Sequence, residues 1–580
     1  MSLSACFVRL RRAPALALLA ALALSSCAGD GARQPAIDNS APLATEAGNF
    51  LAARQAERQR DYAAAARFML AALDDSPDNY DMLVRAQTFL LANGQFEQAV
   101  SLARRTLRVS PGHSQSALLI ALSDIQRGDF IGAERQLEGQ PLTAINRIVL
   151  PLVQAWIHAG QNRPAAALNA LRPILEVNGF RPLYEYHSAL INDYAGRPEL
   201  AEEHYRKSLE IEGGAPARLV EAAGSYYERL GRRDEARALY TRFQTDSRDS
   251  AAIAAALQRV NAGGAAPPRL IPSAIAGLAE ALFNVAGALR QENNQPTALV
   301  YGRMALALQP DMPVGVLLVA DILDSYGRRE DANALYARIP HASPLDWSAR
   351  VRIAENLHLM DKTDDAVRTL EGMAAERPDR IEPLISLGAV LRTKERFADA
   401  ARVYDRALAR VRTPEPRHWS IYYARGIAHE RSKQWIKAEA DFMRALELQP
   451  EQPDVMNYLA YSWVDQGITM RYEEARRMLE RAVSLRPNSG HIIDSLGWVL
   501  YRTGYYVEAV EVLERAVELL PGDPVLLDHL GDAYWQVGRA NEARFQWQRA
   551  LSNKPEPEAR NEIERKLLSG LPRRTVRQGS

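Results

Sequence analysis

The stretch from residue 490 to residue 555, GHIIDSLGWVLYRTGYYVEAVEVLERAVELLPGDPVLLDHLGDAYWQVGRANEARFQWQRALSNKP, contains the same pattern twice. Six positions coincide when its second half is laid over the first with a shift of 34 residues. The pairs are Leu496 with Leu530, Gly497 with Gly531, Ala509 with Ala543, Leu513 with Trp547, Ala516 with Ala550, and Pro521 with Pro555. So many matches at one fixed spacing predict two tandem copies of one structural unit.

Each marked residue type has a physical role in a pair of helices. Glycine in the first helix and alanine in the second are small, so the two helices can approach closely. Leu513 and Trp547 are expected to fill the space between units, and Pro521 and Pro555 to end the second helix. A 34-residue helix-turn-helix unit with these marks resembles the tetratricopeptide repeat. The resemblance implies an all-α fold, a superhelical solenoid of stacked helix-turn-helix units.

The small residue of the second helix marks successive units along the whole chain. It recurs as Ala65, Ala99, Ala133, Ala167, Ala201 and Ala236, and again as Ala298, Ala332, Ala366, Ala400, Ala438, Ala475, Ala509 and Ala543. Between Ala236 and Ala298 the spacing breaks, and this interval holds the Gly-Gly and Pro-Pro pairs of residues 261–268. The sequence therefore predicts fourteen units in two subarrays, six before the break and eight after it.

These signals divide the 580 residues into six predicted segments. They are a lipoprotein signal peptide (1–26), a flexible tether (27–45), an N-terminal repeat array (46–260), a loop or hinge (261–275), a C-terminal repeat array (276–556), and a capping helix with a basic tail (557–580). The boundary between the subarrays is expected near residue 265. The last helix is expected at Glu558–Ser569, as the polar closing element that a solenoid needs.

The N-terminus has the pattern of a targeting signal. Basic residues at positions 9, 11 and 12 precede an apolar run from Ala13 to Leu24, which is too short to remain as a membrane-spanning helix. The following Leu24-Ser25-Ser26-Cys27 resembles a bacterial lipobox, in which the cysteine is acylated, for example with palmitate. The alternative is an ordinary signal peptide with a chance cysteine. The chain's other cysteine, Cys6, lies inside the signal, so the mature protein is expected to have no disulfide.

The sequence gives no indication of an enzyme. It has none of the G-x-G-x-x-G, Walker A, H-E-x-x-H or G-x-S-x-G motifs, and its ten histidines form no pair at ligand spacing. We therefore expect no catalytic residue, metal or cofactor. Equal numbers of basic and acidic residues, 71 of each, give a formal charge of zero and argue against a nucleic-acid partner.

A repeat of this kind exposes the second, fifth, ninth, twelfth and thirteenth positions of its first helix on the inner, concave side. In the last three units these positions contain the predicted partner-binding residues Tyr461, Asp494, Trp498, Tyr501, Arg502, Asp528, Asp532 and Trp535. Aromatic residues flanked by carboxylates are typical of binding hot spots, and they favour a basic or apolar peptide. The alternative is that Trp498 and Trp535 only pack between neighbouring helices.

Over nearly its full mature length the chain resembles Gram-negative outer-membrane lipoproteins built of tetratricopeptide repeats, including the D-S-L-G-W-V-L-Y segment at residues 494–501. One such group is similar to the lipoprotein adaptor of a periplasmic carboxyl-terminal processing protease. This resemblance implies a scaffold on the periplasmic face of the outer membrane that brings cell-wall hydrolases to the protease; Ala28 after the cysteine favours that membrane. Two alternatives remain: a component of exopolysaccharide secretion or pilus assembly, and a carbohydrate-binding accessory of the envelope.

Changing Cys27 to Ser should release the protein from membranes without unfolding the repeats. Acyl chains contribute about 0.8 kcal/mol per buried CH₂ group, and the sequence contains no other apolar stretch long enough to replace them. Cell fractionation measures the outcome, with helical content as the control for folding. A Cys27→Ser protein that still sediments entirely with membranes would show that the lipoprotein assignment is wrong.

Overall fold

The computed structural model describes residues 45–210, 214–246 and 250–572. In these ranges the chain forms thirty α-helices and three short 3-10 helices, and it has no β-strand. The all-α solenoid predicted from the repeat pattern is confirmed. The predicted signal peptide, Cys27, the predicted tether before residue 45 and the predicted basic tail after residue 572 lie outside the described residues.

The chain divides into two compact units between residues 361 and 362. The first contains eighteen helices: α1 (Glu46–Arg58), α2 (Tyr62–Asp75), α3 (Tyr80–Ala92), α4 (Phe96–Val109), α5 (Ser114–Gln126), α6 (Phe130–Leu137), α7 (Asn146–Gly160), α8 (Pro164–Leu171), α9 (Arg181–Tyr194), α10 (Pro198–Leu209), α11 (Ala217–Arg229), α12 (Arg233–Thr245), α13 (Ala251–Asn261), α14 (Ala274–Gln291), α15 (Gln295–Leu308), α16 (Pro313–Ser325), α17 (Arg329–Tyr336) and α18 (Asp346–Leu359). A 3-10 helix at Arg172–Glu176 extends α8.

The second unit contains the twelve helices that follow residue 361. They are α19 (Thr363–Glu376), α20 (Glu382–Thr393), α21 (Phe397–Ala409), α22 (Trp419–Arg431), α23 (Trp435–Leu448), α24 (Pro453–Asp465), α25 (Tyr472–Leu485), α26 (Gly490–Thr503), α27 (Tyr506–Leu519), α28 (Pro524–Gln536), α29 (Ala540–Ser552) and α30 (Pro557–Ser569). Short 3-10 helices at Pro416–His418 and Thr469–Arg471 occupy the two joints where the alanine spacing lengthens. The closing helix expected at residues 558–569 is α30.

Helix ends in the last repeats follow local chemistry. Asp523 precedes α28, and its side chain accepts hydrogen bonds from the backbone N–H groups of Val525 (2.9 Å) and Leu526 (3.3 Å). Pro524 lies in the first turn, where the missing N–H costs no hydrogen bond. At the other end of a first helix, Gly504 adopts φ +90° and stops α26 in the left-handed conformation that glycine tolerates. These local signals fix the start of α28 and the end of α26.

The fourteen marker alanines are all 0% exposed. Thirteen of them lie on the second helix of a packed pair, in the pairs α1–α2 to α11–α12, α14–α15, α16–α17 and α20–α21 to α28–α29. Complete burial against the neighbouring helix explains why the position tolerates only a small side chain. Thirteen of the predicted two-helix units are therefore confirmed, whereas Ala366 lies on α19, which packs on α20. Outside these pairs, α13 packs on α11 and α12, α18 packs on α17, and α30 packs on α29.

A second regular contact sets the distance between the helices of a pair. A glycine on the first helix faces a large side chain sixteen residues further along, on the second helix of the same pair. This occurs at Gly224 with Tyr240, Gly388 with Tyr404, Gly426 with Phe442, Gly497 with Leu513, and Gly531 with Trp547. Leu513 and Trp547 therefore fill space inside their own repeat, over the glycine, and the expected position between units is corrected accordingly.

The predicted boundary near residue 265 lies within the first compact unit. Residues 262–273 do form a non-helical connection, but the chain after it folds back on the first six repeats. Gly277 of α14 lies against Trp156 of α7 so closely that a Cβ atom would overlap the ring. Arg218 of α11 forms an ion pair with the fully buried Glu280 of α14, with 2.7 Å between Nη2 and Oε2. These contacts explain why the loop does not separate two bodies.

Residues 274–336 cover first helices of the earlier repeats. α14 packs on α7 and α9, α15 packs on α3, and the Gln126 side chain at the end of α5 donates a 2.7 Å hydrogen bond to the carbonyl of Ala307. Arg328, before α17, reaches Asp61 before α2 at 3.1 Å. The chain itself thus packs over α3, α7 and α9 and contacts the end of α5.

Replacing Gly531 with Ala should lower the free energy of unfolding by about 1–3 kcal/mol, as overpacking does in other cores. The new Cβ atom would lie 2.5 Å from two atoms of the Trp547 indole, inside van der Waals contact. Urea unfolding followed by circular dichroism measures the change.

The matched control is Gly372→Ala on α19, in the same compact unit. Nothing lies within 4 Å of a Cβ atom at position 372. The substitution should therefore stabilise the protein by about 0.5–1 kcal/mol through the lower backbone entropy of alanine. Equal effects of the two substitutions would contradict the contact between Gly531 and Trp547.

Candidate partner-binding face

The predicted site residues lie on three successive first helices. Tyr461 is on α24, the residues from 494 to 502 are on α26, and those from 528 to 535 are on α28. α26 contacts both α24 and α28. We call the five inner positions of the first helices α20, α22, α24, α26 and α28 the inner face. The repeat register therefore brings the predicted residues together on one side of the second compact unit.

The aromatic residues of α26 form a stack with a histidine from the next repeat. The Trp498 ring lies between Tyr501 (centroids 4.9 Å apart, 13° between planes) and His529 (4.0 Å, 16°). The guanidinium of Arg502 lies 5.8 Å from the Trp498 ring. Tyr501 is only 6% exposed. Trp498 therefore packs against the neighbouring first helix α28 and is still partly exposed, and its role in partner binding stays a prediction.

Asp494 holds His529 in this stack. Its two carboxylate oxygens lie 2.9 and 3.1 Å from His529 Nδ1, and both residues are buried. Burial alone would lower the pKa of His529, but the Asp494 carboxylate outweighs burial and raises this pKa above its ordinary value. His529 was not among the predicted site residues, because position six of a first helix is not an inner position. Asp494 is therefore a structural partner of the histidine.

The predicted residues of α28 are covered by the chain's own C-terminal segment. Lys566 of α30 places its Nζ atom 2.9 Å from both oxygens of Asp528 and 2.9 Å from Oδ2 of Asp532. Trp535 Nε1 donates a 2.6 Å hydrogen bond to the carbonyl of Leu571. Sequence reasoning missed this contact because it treated α30 as a cap alone.

Two carboxylates share one buried ammonium group at this place. Burial and the neighbouring Asp528 charge raise the pKa of Asp532 to about 7, although Lys566 acts in the opposite direction. The carboxylates in turn raise the pKa of Lys566, against the effect of its burial. Asp532 also accepts a hydrogen bond from Trp547 Nε1 at 2.9 Å. Asp528 and Asp532 thus hold the Lys566 ammonium group between them, and the raised pKa of Asp532 favours uptake of one proton by its carboxylate.

The earlier first helices of this unit leave their inner positions partly open. α20, α22 and α24 present partly exposed side chains at Glu382, Ile385, Ala389, Arg392, Ser420, Tyr423, Ile427, Glu430, Asp454, Asn457 and Tyr461. Arg431 and Asp465, at the thirteenth positions of α22 and α24, are exposed. This part combines apolar, aromatic and charged groups of both signs. It is the part of the inner face that a partner can reach without displacing α30.

The structure shows no arrangement typical of metal chemistry in the ranges it describes. No three side chains of His, Cys, Asp or Glu converge there as metal ligands. None of the helices in the described ranges is both long and apolar enough to cross a membrane.

Comparison with known proteins identifies the repeat. The tetratricopeptide-repeat family model matches residues 386–453 and 470–524. The TPR repeat-containing protein PA4667 of Pseudomonas aeruginosa is 28% identical over 157 residues, which are 27% of this chain and 26% of that protein. Human protein O-mannosyl-transferase TMTC1 is 25% identical over 175 residues, 29% of this chain and 19% of that protein. The matches thus span about a quarter and a fifth of these relatives.

Solved repeat structures are similar at low identity. The APC/C hetero-tetramer Cut9-Hcn1 matches with 16% identity and a TM-score of 0.37, over 90% of this chain and 97% of that chain. Yeast Tom70 matches with 14% identity and a TM-score of 0.29, over 90% and 95% of the two chains. The family match assigns tetratricopeptide repeats to residues 386–453 and 470–524, which lie within an array of similar helix pairs. Such folds are generally non-catalytic and imply protein partners.

Lowering the pH from 8 to 5.5 should stabilise the last repeat. Folding raises the pKa of Asp532 from 3.8 to about 7, so the folded state takes up a proton that the unfolded state lacks, and stability falls as pH rises through this range. The raised pKa of His529 acts in the same direction, because its stabilising proton is lost as pH rises through the raised value.

Urea unfolding at the two pH values measures this effect. The Asp532 contribution to the difference should be about 2 kcal/mol. In an Asp532→Asn variant the difference should shrink by that amount, while Lys566 keeps its contact with Asp528. An unchanged pH dependence in the variant would contradict the shared-ammonium arrangement.

Proposed function

We propose that this chain is a non-enzymatic scaffold that binds partner proteins on the inner face of residues 362–572. The observation that carries the proposal is the contrast between the two compact units. The first helices α3, α7 and α9 of the N-terminal repeats are covered by α14 and α15, whereas inner positions of α20, α22 and α24 are partly exposed. A solenoid that leaves such a face open offers apolar area at its centre and charged groups at its rim, which suits a protein ligand.

We further propose that the scaffold is lipid-anchored at Cys27 on the periplasmic face of the outer membrane. The support is the lipobox-like segment of residues 24–27 and the resemblance to lipoprotein adaptors. In this proposal the partners are a carboxyl-terminal processing protease and the cell-wall hydrolases it cleaves. Holding both on one anchored surface raises their local concentration, so that cleavage proceeds without any new catalytic group.

The test is affinity capture from membranes with the full chain, followed by mass spectrometry of the bound proteins. Replacing Tyr461 with Ala should weaken capture by about 2 kcal/mol, roughly 30-fold in Kd. Trp498 and Tyr501 are unsuitable for this purpose. Trp498 is stacked between Tyr501 and His529, and Tyr501 is 6% exposed, so removing either ring would report mainly on packing.

The matched control is Phe545→Ala, which removes an aromatic side chain that is 57% exposed on the second helix α29. It should leave capture unchanged. Capture that is equal in the inner-face variant and the wild type would contradict the assigned surface. Recovery of glycan in place of protein would instead favour the carbohydrate-binding alternative, and recovery of export or pilus components the assembly alternative.

A further inference from the structure

The last helix is held by few apolar contacts. Of the thirteen residues of α30, only Ile563 and Lys566 are buried, and Leu568 is 88% exposed. Leu567 and Leu571 are partly buried against the core of the second unit. Because the apolar area is small, the polar contacts of Lys566 and of residues 570–572 contribute a large share of the attachment. α30 is therefore a weakly packed element in comparison with the paired helices.

The Lys566 contacts satisfy an ammonium group completely. Its three N–H donors match the three oxygen contacts at 2.9 Å, two from Asp528 and one from Asp532. Lys566 is 5% exposed and Asp532 is 4% exposed, so the pair is shielded from water. Two carboxylates around one cation leave the site acidic. Any lysine presented at the same place would meet the same complement of acceptors.

The residues after α30 are bound through their main chain. Gly570 has φ +69° and turns the chain over the face of Trp535, where any Cβ atom would overlap the ring. The next two carbonyl groups then accept hydrogen bonds from Trp535 Nε1 (2.6 Å) and from Gln536 Nε2 (3.0 Å). Two consecutive main-chain carbonyls are thus recognised without regard to their side chains, apart from the glycine.

Together these contacts define a binding pattern of a lysine on a helix, a glycine four residues later, and an extended segment after it. We propose that the inner face of α28 is a peptide-recognition site for a partner segment with this pattern, and that α30 with residues 570–572 occupies the site as an intramolecular competitor. The inference deepens the proposed function, on which it rests, because it names the chemistry of a partner segment. The chain's own segment, seated on the site, shows which occupant fits.

Competition of this kind makes partner binding depend on release of α30. A partner segment has to displace residues 557–572 before it can reach Asp528, Asp532, Trp535 and Gln536. A tethered competitor acts at high effective concentration, so the wild-type chain should bind a free copy of its own segment very weakly. A chain whose α30 has been released should bind the same copy well.

The experiment uses the full chain with Lys566→Glu, which places a third carboxylate beside Asp528 and Asp532. Hydrogen exchange of residues 557–569 should accelerate by about a hundredfold or more, as expected when a buried ion pair is broken. The probe is a fluorescent synthetic peptide of residues 557–572, and its binding is measured by anisotropy. It should bind the Lys566→Glu chain at least about a hundredfold more tightly than the wild-type chain.

The matched control is Arg565→Glu, the same charge reversal at an exposed neighbouring position. It should change neither the exchange nor peptide binding. A second variant, Gly570→Ala, leaves Lys566 intact and should also admit the peptide, because its Cβ atom would overlap Trp535. A peptide carrying Lys566→Glu should bind the released chains at least about a hundredfold more weakly.

Three results would overturn the proposal. The first is unchanged protection of α30 in the Lys566→Glu chain, which would mean that the ion pairs do not hold the helix. The second is release of α30 without peptide binding, and the third is equally tight peptide binding by the wild-type chain. Because the probe is a synthetic peptide, these results are distinguishable from failure of partner capture from membranes, which tests the proposed function itself.

Discussion

The structure depends on how closely the two helices of each repeat approach. In five repeats a glycine on the first helix lies against a Tyr, Phe, Leu or Trp side chain sixteen residues further on. A Cβ atom at that glycine would collide with the large side chain, so the residue type and the helix spacing are set by the same contact. The fully buried alanine of each second helix limits the distance from the other side. Repetition of this pair geometry produces the array, because each repeat buries its remaining apolar surface against its neighbours.

This local geometry explains why the fold could be predicted from the sequence. All the residues that define a pair lie within one period of 34, so a simple count along the chain located fourteen buried alanines, thirteen of them on second helices of packed pairs. Contacts between distant residues have no such signal. Glu280 meets Arg218 and Tyr186 across 62 and 94 residues, and Arg328 meets Asp61 across 267. The glycines and prolines of residues 261–268 indicate that the helix stops there, but they carry no information about where α14 packs.

The same distinction applies to the candidate site. The repeat spacing alone predicted that Tyr461, Trp498 and Trp535 lie on successive first helices. The structure confirms this, since they lie on α24, α26 and α28. Their surroundings could not be predicted, because they are set by residues outside the repeat pattern. His529 stacks on Trp498 from a position that the inner-face rule omits, and Lys566 reaches Asp528 from 38 residues away. The inner aromatic residues of α26 and α28 therefore pack against the chain itself, and only the sequence outside the repeat pattern decides this.

The chain covers first-helix surface in two physically different ways. In the N-terminal unit, α14 and α15 contribute buried leucine, valine and alanine side chains to one continuous apolar core. Separating them would expose that whole area to water, which costs far more than the loss of a few polar contacts. At the end of the second unit, α30 contributes little apolar area and relies on an ammonium group between two carboxylates. Separating the two sides of an ion pair costs little free energy when water or another cation takes the place of the lost partner, because all the charged groups remain solvated or paired. Helices α14 and α15 are therefore a permanent part of the fold, whereas α30 can be displaced by a ligand of matching charge.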